Sequence, residues 1–152
     1  MKQLLMFYLL SISVLIFDQA SKFLAIARLS SMETWPVIPD IFHFTLVYNK
    51  GIAFGLFHNF QPVLFVLITA SLLVLFFWGA SAKGVDSSQR FALAMILGGA
   101  IGNWIDRVRI GAVVDFLDFR VWPVFNIADS AITVGVLVYL WTFMKGEKTK
   151  VT

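Results

Sequence analysis

The chain has 152 residues, 59% of them hydrophobic and only 14% charged, with a mean hydropathy of +0.84. A soluble domain carries about a quarter charged residues, so this composition is that of an integral membrane protein. The lack of cysteine excludes thiol nucleophiles, disulfides and thiolate metal centres, and a net charge of +3 with no basic run argues against nucleic acid as a partner.

A spanning helix needs about 20 mostly apolar residues, and four segments qualify. The first starts at Leu4 in "LLMFYLLSISVLIF" and continues through Asp18 and Lys22 to about residue 27. Asp18 and Lys22 are four apart, so they share a helix face and can pair. "AIA" at 25–27 has the look of a secretory cleavage site, but two charges interrupt the run before it, and an uncleaved span is expected. An outer segment, about 28–59, follows. Within it "IFHFTLVYN" (41–49) is rich in β-branched and aromatic residues and ends in the turn signal "NKG", which holds Asn49 and Gly51.

The second span covers about 60–80, with Pro62 tolerated in its first turn. A short polar connection leads to the third, about 91–108. There Gly98 and Gly102 permit close helix approach. Asn103, Asp106 and Arg107 form a polar stripe, with Asp106 and Arg107 expected to pair and Asn103 suited to holding a backbone or substrate group. A second outer segment, about 109–126, contains "AVVDFLDFRVW" (112–122), which alternates in part and reads as a strand. The fourth span, about 127–144, opens in "FNIADSAIT", where Asn126, Asp129, Ser130 and Thr133 share one face and Asp129 is placed to cap the helix.

Four spans put both termini on one side. The acids of spans one, three and four then collect on the other side, together with both long connections. Lys and Arg divide six and six between the sides, whereas acids divide two and seven, and most far-side cations sit beside acids. The termini are therefore assigned to the cytoplasm. Each ionisable group within a span costs about 2.5–3.5 kcal/mol on insertion scales, which makes such groups functional candidates.

Elimination narrows the chemistry. His43 and His58 lack metalloprotease spacing, no serine sits in a G-x-S-x-G elbow, and "GGAIGN" lies inside an apolar helix rather than after a strand. Carboxylates remain. Two that share a proton can activate water, and Asp115, Asp118 and Asp129 are the candidates, with the choice of two left open by spacing alone. A small proton- or ion-coupled transporter using the same acids is the alternative, and a scaffold whose outer loops bind a partner is a third reading. Unrepeated halves and acids gathered at one face argue against the transporter.

Five stretches in order, "DQASK" (18–22), "NKGIAF" (49–54), "GGAIGNWIDR" (98–107), "VVDF" (113–116) and "FNIAD" (125–129), resemble the signature boxes of the bacterial lipoprotein (type II) signal peptidases. The resemblance implies an all-α membrane protein, one domain of four transmembrane helices with a small β-cradle and a loop or short helix on the outer, periplasmic face. It implies an intramembrane aspartic endopeptidase of the inner membrane that cleaves diacylglyceryl-modified prolipoproteins just before the lipid-modified cysteine. On that pattern Asp115 and Asp129 are the catalytic pair and Asp118 is not. Asn49, Gly51, Asn103, Arg107 and Asn126 then position the substrate or the pair, with Asp18, Lys22 and Asp106 in support. No cofactor or metal is implied. Membrane lipid and globomycin-type inhibitors are the other expected ligands, and a monomer the expected state.

Overall fold

The computed structural model describes residues 2–29, 34–51, 61–81 and 85–148. The elements run α1 (Lys2–Arg28), β1 (Thr34–Ile38), β2 (Phe42–Asn49), α2 (Gln61–Ser81), α3 (Ser87–Ile110), β3 (Val113–Asp118) and α4 (Ile127–Lys148). The four helices fall where the apolar segments predict them. Three of them, α1, α3 and α4, are long and apolar enough to cross a membrane, whereas within α2 the apolar stretch Phe65–Phe77 is shorter. The expected outer loop or short helix, the "NKGIAF" box beyond Gly51, and His58 fall on residues outside the described ones.

In α1 the buried residues are Phe7, Ser11, Asp18, Lys22 and Ala25, spaced by four, seven, four and three, which is one helical face. The rest of the helix turns Leu5, Ile16 and Phe17 outward. An apolar exterior around a partly polar seam is the reverse of a soluble helix, and it suits a hydrocarbon surround. The seam faces α3, the central helix, which packs against α1 on one side and α4 on another.

Glycine makes those approaches close. A Cβ on Gly98 would strike the Ser11 carbonyl and Val14, and one on Gly102 would land on the Asp18 carboxylate. On the α4 side, a Cβ on Gly99 would meet the Ala128 carbonyl, and one on Gly135 would meet Ile96 and the Ala92 carbonyl. The helix starts at a capping box between Asp86 and Gln89 and stops at Gly111, whose φ of 71° is left-handed and whose N–H closes on the Arg107 carbonyl. Trp104 stacks on Phe65 and donates its indole N–H to Thr69 at 2.9 Å, tying α2 to α3.

A three-stranded antiparallel sheet, in the order β1-β2-β3, lies at the end of the bundle where α1 and α3 finish and α4 begins. The predicted strand at 41–49 is β2. The one at 112–122 is shorter than expected, because β3 ends at Asp118 and the chain turns through Arg120 at φ 64°. Strand β1 was not anticipated; its Pro36 lowers its strand signal, and an edge is where a strand tolerates proline. Ala25 and Leu29 of the α1 end pack with Leu46, Val114 and Phe116 beneath the sheet. On the other edge of β3, Phe125 exchanges hydrogen bonds with Leu117 at 2.8 and 3.0 Å. That bridge brings the start of α4 alongside Asp115.

Candidate active site

Asp129 is the third residue of α4, and Asn126 caps the helix. The Asn126 Oδ1 accepts the Asp129 N–H at 2.9 Å, while Asp129 Oδ2 accepts the Asn126 N–H at 3.3 Å. This reciprocal capping box fixes the Asp129 carboxylate at a helix N-terminus, where the macrodipole favours negative charge. Asp115 approaches from β3 and is 1% exposed. Its Oδ1 accepts from Asn126 Nδ2 at 2.7 Å and its Oδ2 from Asn49 Nδ2 at 3.1 Å. Asn49 is itself held by the Gly51 N–H, which donates to its Oδ1 at 3.0 Å.

Asn103 joins the two halves. Its Nδ2 donates to Asp129 Oδ1 at 2.8 Å, and its Oδ1 accepts from Asn126 Nδ2 at 3.1 Å and from Lys22 Nζ at 2.9 Å. Two amides thus stand between two carboxylates and fix them relative to each other. Burial, and then the neighbouring Asp129 charge, push the Asp115 carboxyl up to about 7 against the opposing pull of the Asn49 and Asn126 hydrogen bonds.

The pair opens into a cavity of about 300 Å³, which Asn49, Gly51, Asn103, Arg107, Asp115 and Asp129 all line. Its remaining wall is the apolar run Trp122 to Phe125 with Val113, Ile132 and Thr133. The Arg107 guanidinium donates to the Asn103 carbonyl at 3.2 Å and to the Gly51 carbonyl at 3.3 Å, which holds the turn after β2 against α3. Other cavities of similar volume exist, but the one between Met6, Leu10 and Phe91 at the far end of α1 has no carboxylate among the described residues of its wall.

Behind Asn103, Lys22 is 2% exposed and spends its three donors on Asp18 Oδ2 (2.9 Å), Asp106 Oδ2 (2.8 Å) and Asn103 Oδ1. A buried ammonium is tolerable when every proton has an acceptor, as here. The predicted Asp18–Lys22 pair is present. The predicted Asp106–Arg107 pair is not the arrangement: Asp106 pairs with Lys22, and Arg107 reaches the two carbonyls instead. Adjacent residues on a helix point about 100° apart, so one stripe could not serve both.

Asp118 belongs to a different group. Its Oδ2 accepts from Thr45 Oγ1 at 2.7 Å and from Arg120 Nη1 at 3.2 Å, and its Oδ1 from the Arg120 N–H at 2.8 Å. Burial raises its pKa, but the hydrogen bonds from Thr45 and Arg120 outweigh that and hold the carboxyl below the usual range. It lines no part of the cavity that holds Asp115 and Asp129.

The signal peptidase II family model matches residues 10–145. The chain belongs to the signal peptidase II family. Curated lipoprotein signal peptidases agree: that of Halothermothrix orenii is 40% identical over 142 residues, covering 90% of this chain and 95% of its own, and that of Moorella thermoacetica is 45% identical over 139 residues, covering 91% and 92%. Two solved bacterial membrane enzymes, both determined by the in meso method, have the same fold. One superposes with a TM-score of 0.86 at 30% identity, covering 95% of this chain and 91% of that one. The other gives 0.81 at 31% identity, covering 92% and 93%.

As a signal peptidase II the chain is a peptidase, which decides against the transporter and scaffold readings. In this peptidase one group escaped the sequence reading. Gln19 donates its amide to Asp18 Oδ2 (3.1 Å), Asp106 Oδ1 (3.1 Å) and the Gly102 carbonyl (3.2 Å). The signal was there: an amide within an apolar span, next to a buried acid. The apolar wall from Trp122 to Phe125 carried no such signal, because its residues resemble any interfacial loop.

Proposed function

We propose that the peptidase is an aspartic endopeptidase whose reacting groups are Asp115 and Asp129, and that it releases signal peptides from diacylglyceryl-modified prolipoproteins by cutting just before the lipid-modified cysteine. The observation that carries this reading is the meeting of the two carboxylates in one cavity, cross-linked by Asn103 and Asn126. Removal of signal peptides from prolipoproteins follows from the family.

The two carboxyls divide the work by environment. Asp129, held at the N-terminus of α4, takes the role of base. Asp115, buried and with its pKa near 7, carries the shared proton. Asp129 takes a proton from the attacking water as Asp115 hydrogen-bonds, then gives its proton, to the scissile carbonyl oxygen. The product is a neutral gem-diol. In the second half Asp129 returns its proton to the leaving amine while Asp115 withdraws one from a gem-diol hydroxyl, so the C–N bond breaks and the starting protonation is restored.

The remaining expectations fit the same frame. Four spans, with α2 as the fourth, put the termini in the cytoplasm and the sheet on the outer face of the bacterial inner membrane. A substrate anchored by its acyl chains then presents its scissile bond at the depth of the cavity, beside the apolar Trp122–Phe125 wall. Globomycin-type inhibitors are expected to compete for this cavity, and the enzyme to act as a monomer.

The test is cleavage of one precursor in two forms, with and without the diacylglyceryl group, followed by mass determination of the new N-terminus. Cleavage of the lipidated form alone, starting at the modified cysteine, supports the reading. Equal cleavage of both forms, or a cut elsewhere, contradicts it.

A further inference from the structure

The buried charges behind the cavity reach the backbone on either side of the reacting pair. Asp18 Oδ1 accepts the N–H of Ala128 at 2.9 Å, and Ala128 immediately precedes Asp129. Asp106 Oδ2 accepts the N–H of Val114 at 3.2 Å, and Val114 immediately precedes Asp115. The two acceptors sit on different helices, α1 and α3. Lys22 bridges them through Asp18 Oδ2 and Asp106 Oδ2, and Gln19 bridges them again through Asp18 Oδ2 and Asp106 Oδ1. Gly102 leaves the room in which Asp18 sits.

We propose that Lys22 and Gln19 are positioning residues: they lock Asp18 to Asp106, and these two carboxylates in turn hold the peptide groups before Asp129 and Asp115 so that the separation of the reacting pair is fixed. The inference rests on Asp115 and Asp129 being that pair. Neither Lys22 nor Gln19 lines the cavity that holds the reacting pair; both line a separate, smaller one of about 80 Å³ beside Asp106 and Val114. Lys22 acts at a second point as well, since its bond to Asn103 Oδ1 fixes which end of that amide faces Asp129. A network that merely neutralised buried charge would need Lys22 but not Gln19, and it would not need its carboxylates to end on those two particular N–H groups.

The test compares Gln19→Leu and Lys22→Met with wild type as full chains in detergent, by two readouts. One is the pH at which Asp115 loses its proton, followed as the infrared carbonyl band that Asp115→Asn removes; this needs no turnover. The other is kcat and KM on a lipidated precursor. If the clamp sets the separation, loosening it weakens the push of Asp129 on Asp115, and the Gln19→Leu midpoint moves down by at least about half a pH unit. Its kcat falls about tenfold, and that of Lys22→Met about a hundredfold or more, with KM within about threefold of wild type. A folded Gln19→Leu with the wild-type midpoint overturns the proposal, as does a loss confined to KM. If Lys22→Met does not fold, Gln19→Leu decides alone, since it removes no charge. A wild type that fails to cleave while the Gln19→Leu midpoint still moves sinks the peptidase assignment of the pair and leaves the clamp standing.

Discussion

Asn126 is bonded to both acids of the pair: its amide nitrogen donates to Asp115 Oδ1 at 2.7 Å, its amide oxygen accepts the Asp129 backbone N–H at 2.9 Å, and its own backbone N–H donates to Asp129 Oδ2 at 3.3 Å. It is fully buried, and its nitrogen also reaches the Val114 carbonyl and Asn103 Oδ1, both at 3.1 Å. A single side chain therefore caps α4, orients one acid and restrains the other.

Removing that side chain is expected to cost activity well beyond its effect on folding. Asn126→Ala should lower kcat by about 10²-fold, the scale seen when one aligned donor is deleted from an active site. Lost cap and lost buried bonds together should also lower Tm. The check is kcat measured on protein shown to be folded; wild-type kcat in a folded Asn126→Ala would mean that the bridge is idle.

The pH dependence follows from Asp115. Its carboxyl is raised from 3.8 to about 7, so the folded chain holds that proton more tightly than the unfolded chain does. Stability is then fully present below about 4 and is lost as pH rises through about 7. Asp115→Asn cannot ionise there, so its Tm relative to wild type should climb between pH 5 and pH 8. Activity of the wild type should fall over the alkaline part of the same window, as the shared proton leaves. Paired melting curves at the two pH values, with a rate profile, test both statements.

Asp118 carries the opposite sign. Its lowered carboxyl adds stability above the ordinary carboxylate range, and that stability is lost as pH falls through the folded value. Asp118→Asn should keep most of the activity and lower Tm by about 2–4 °C at neutral pH, since it loses charge-assisted bonds from Thr45 and Arg120 worth about 1 kcal/mol net. A complete loss of turnover would mean that the acid pair is misassigned.

Gly102 and Gly111 make a matched pair of substitutions. A Cβ at Gly102 lands on the Asp18 carboxylate between two packed helices, whereas one at Gly111 meets nothing within 4 Å and is opposed only by the φ of 71°. Gly102→Ala should destabilise by about 1–3 kcal/mol or more and displace the Lys22 cluster, with activity lost in step. Gly111→Ala should cost about 1 kcal/mol, with activity retained. Thermal melts of the two variants side by side decide it.

These contrasts also mark how far the residues alone could be read. Helices were legible because apolar runs of about 20 residues have few alternatives, and β2 because "IFHFTLVYN" is strand chemistry ending at a turn. The pairings at i and i+4, such as Asp18 with Lys22, were legible from helix geometry. Contacts between distant segments were not. Nothing local in the sequence says that Asp106 turns to Lys22 and not to Arg107, or that Asp18 and Asp106 end on the N–H groups of Ala128 and Val114. Those depend on how α1, α3 and the sheet dock, and the small residues that permit the docking record only that it is close. The choice of Asp115 over Asp118 likewise came from the family pattern, and the two acids differ in their partners: Asn49 and Asn126, the second also bonded to Asp129, in one case, Thr45 and Arg120 in the other.

In the proposed mechanism Asp115 and Asp129 act as one unit in peptide-bond hydrolysis. The most direct measurement is kcat on a verified lipidated precursor for wild type, Asp115→Asn, Asp129→Asn and the double variant, each shown to be folded in detergent. Cleavage by wild type is expected, with a loss of about 10³-fold or more in either single variant and a double variant scarcely worse than either. Small losses that multiply in the double variant, or a folded Asp129→Asn that still turns over, would contradict it.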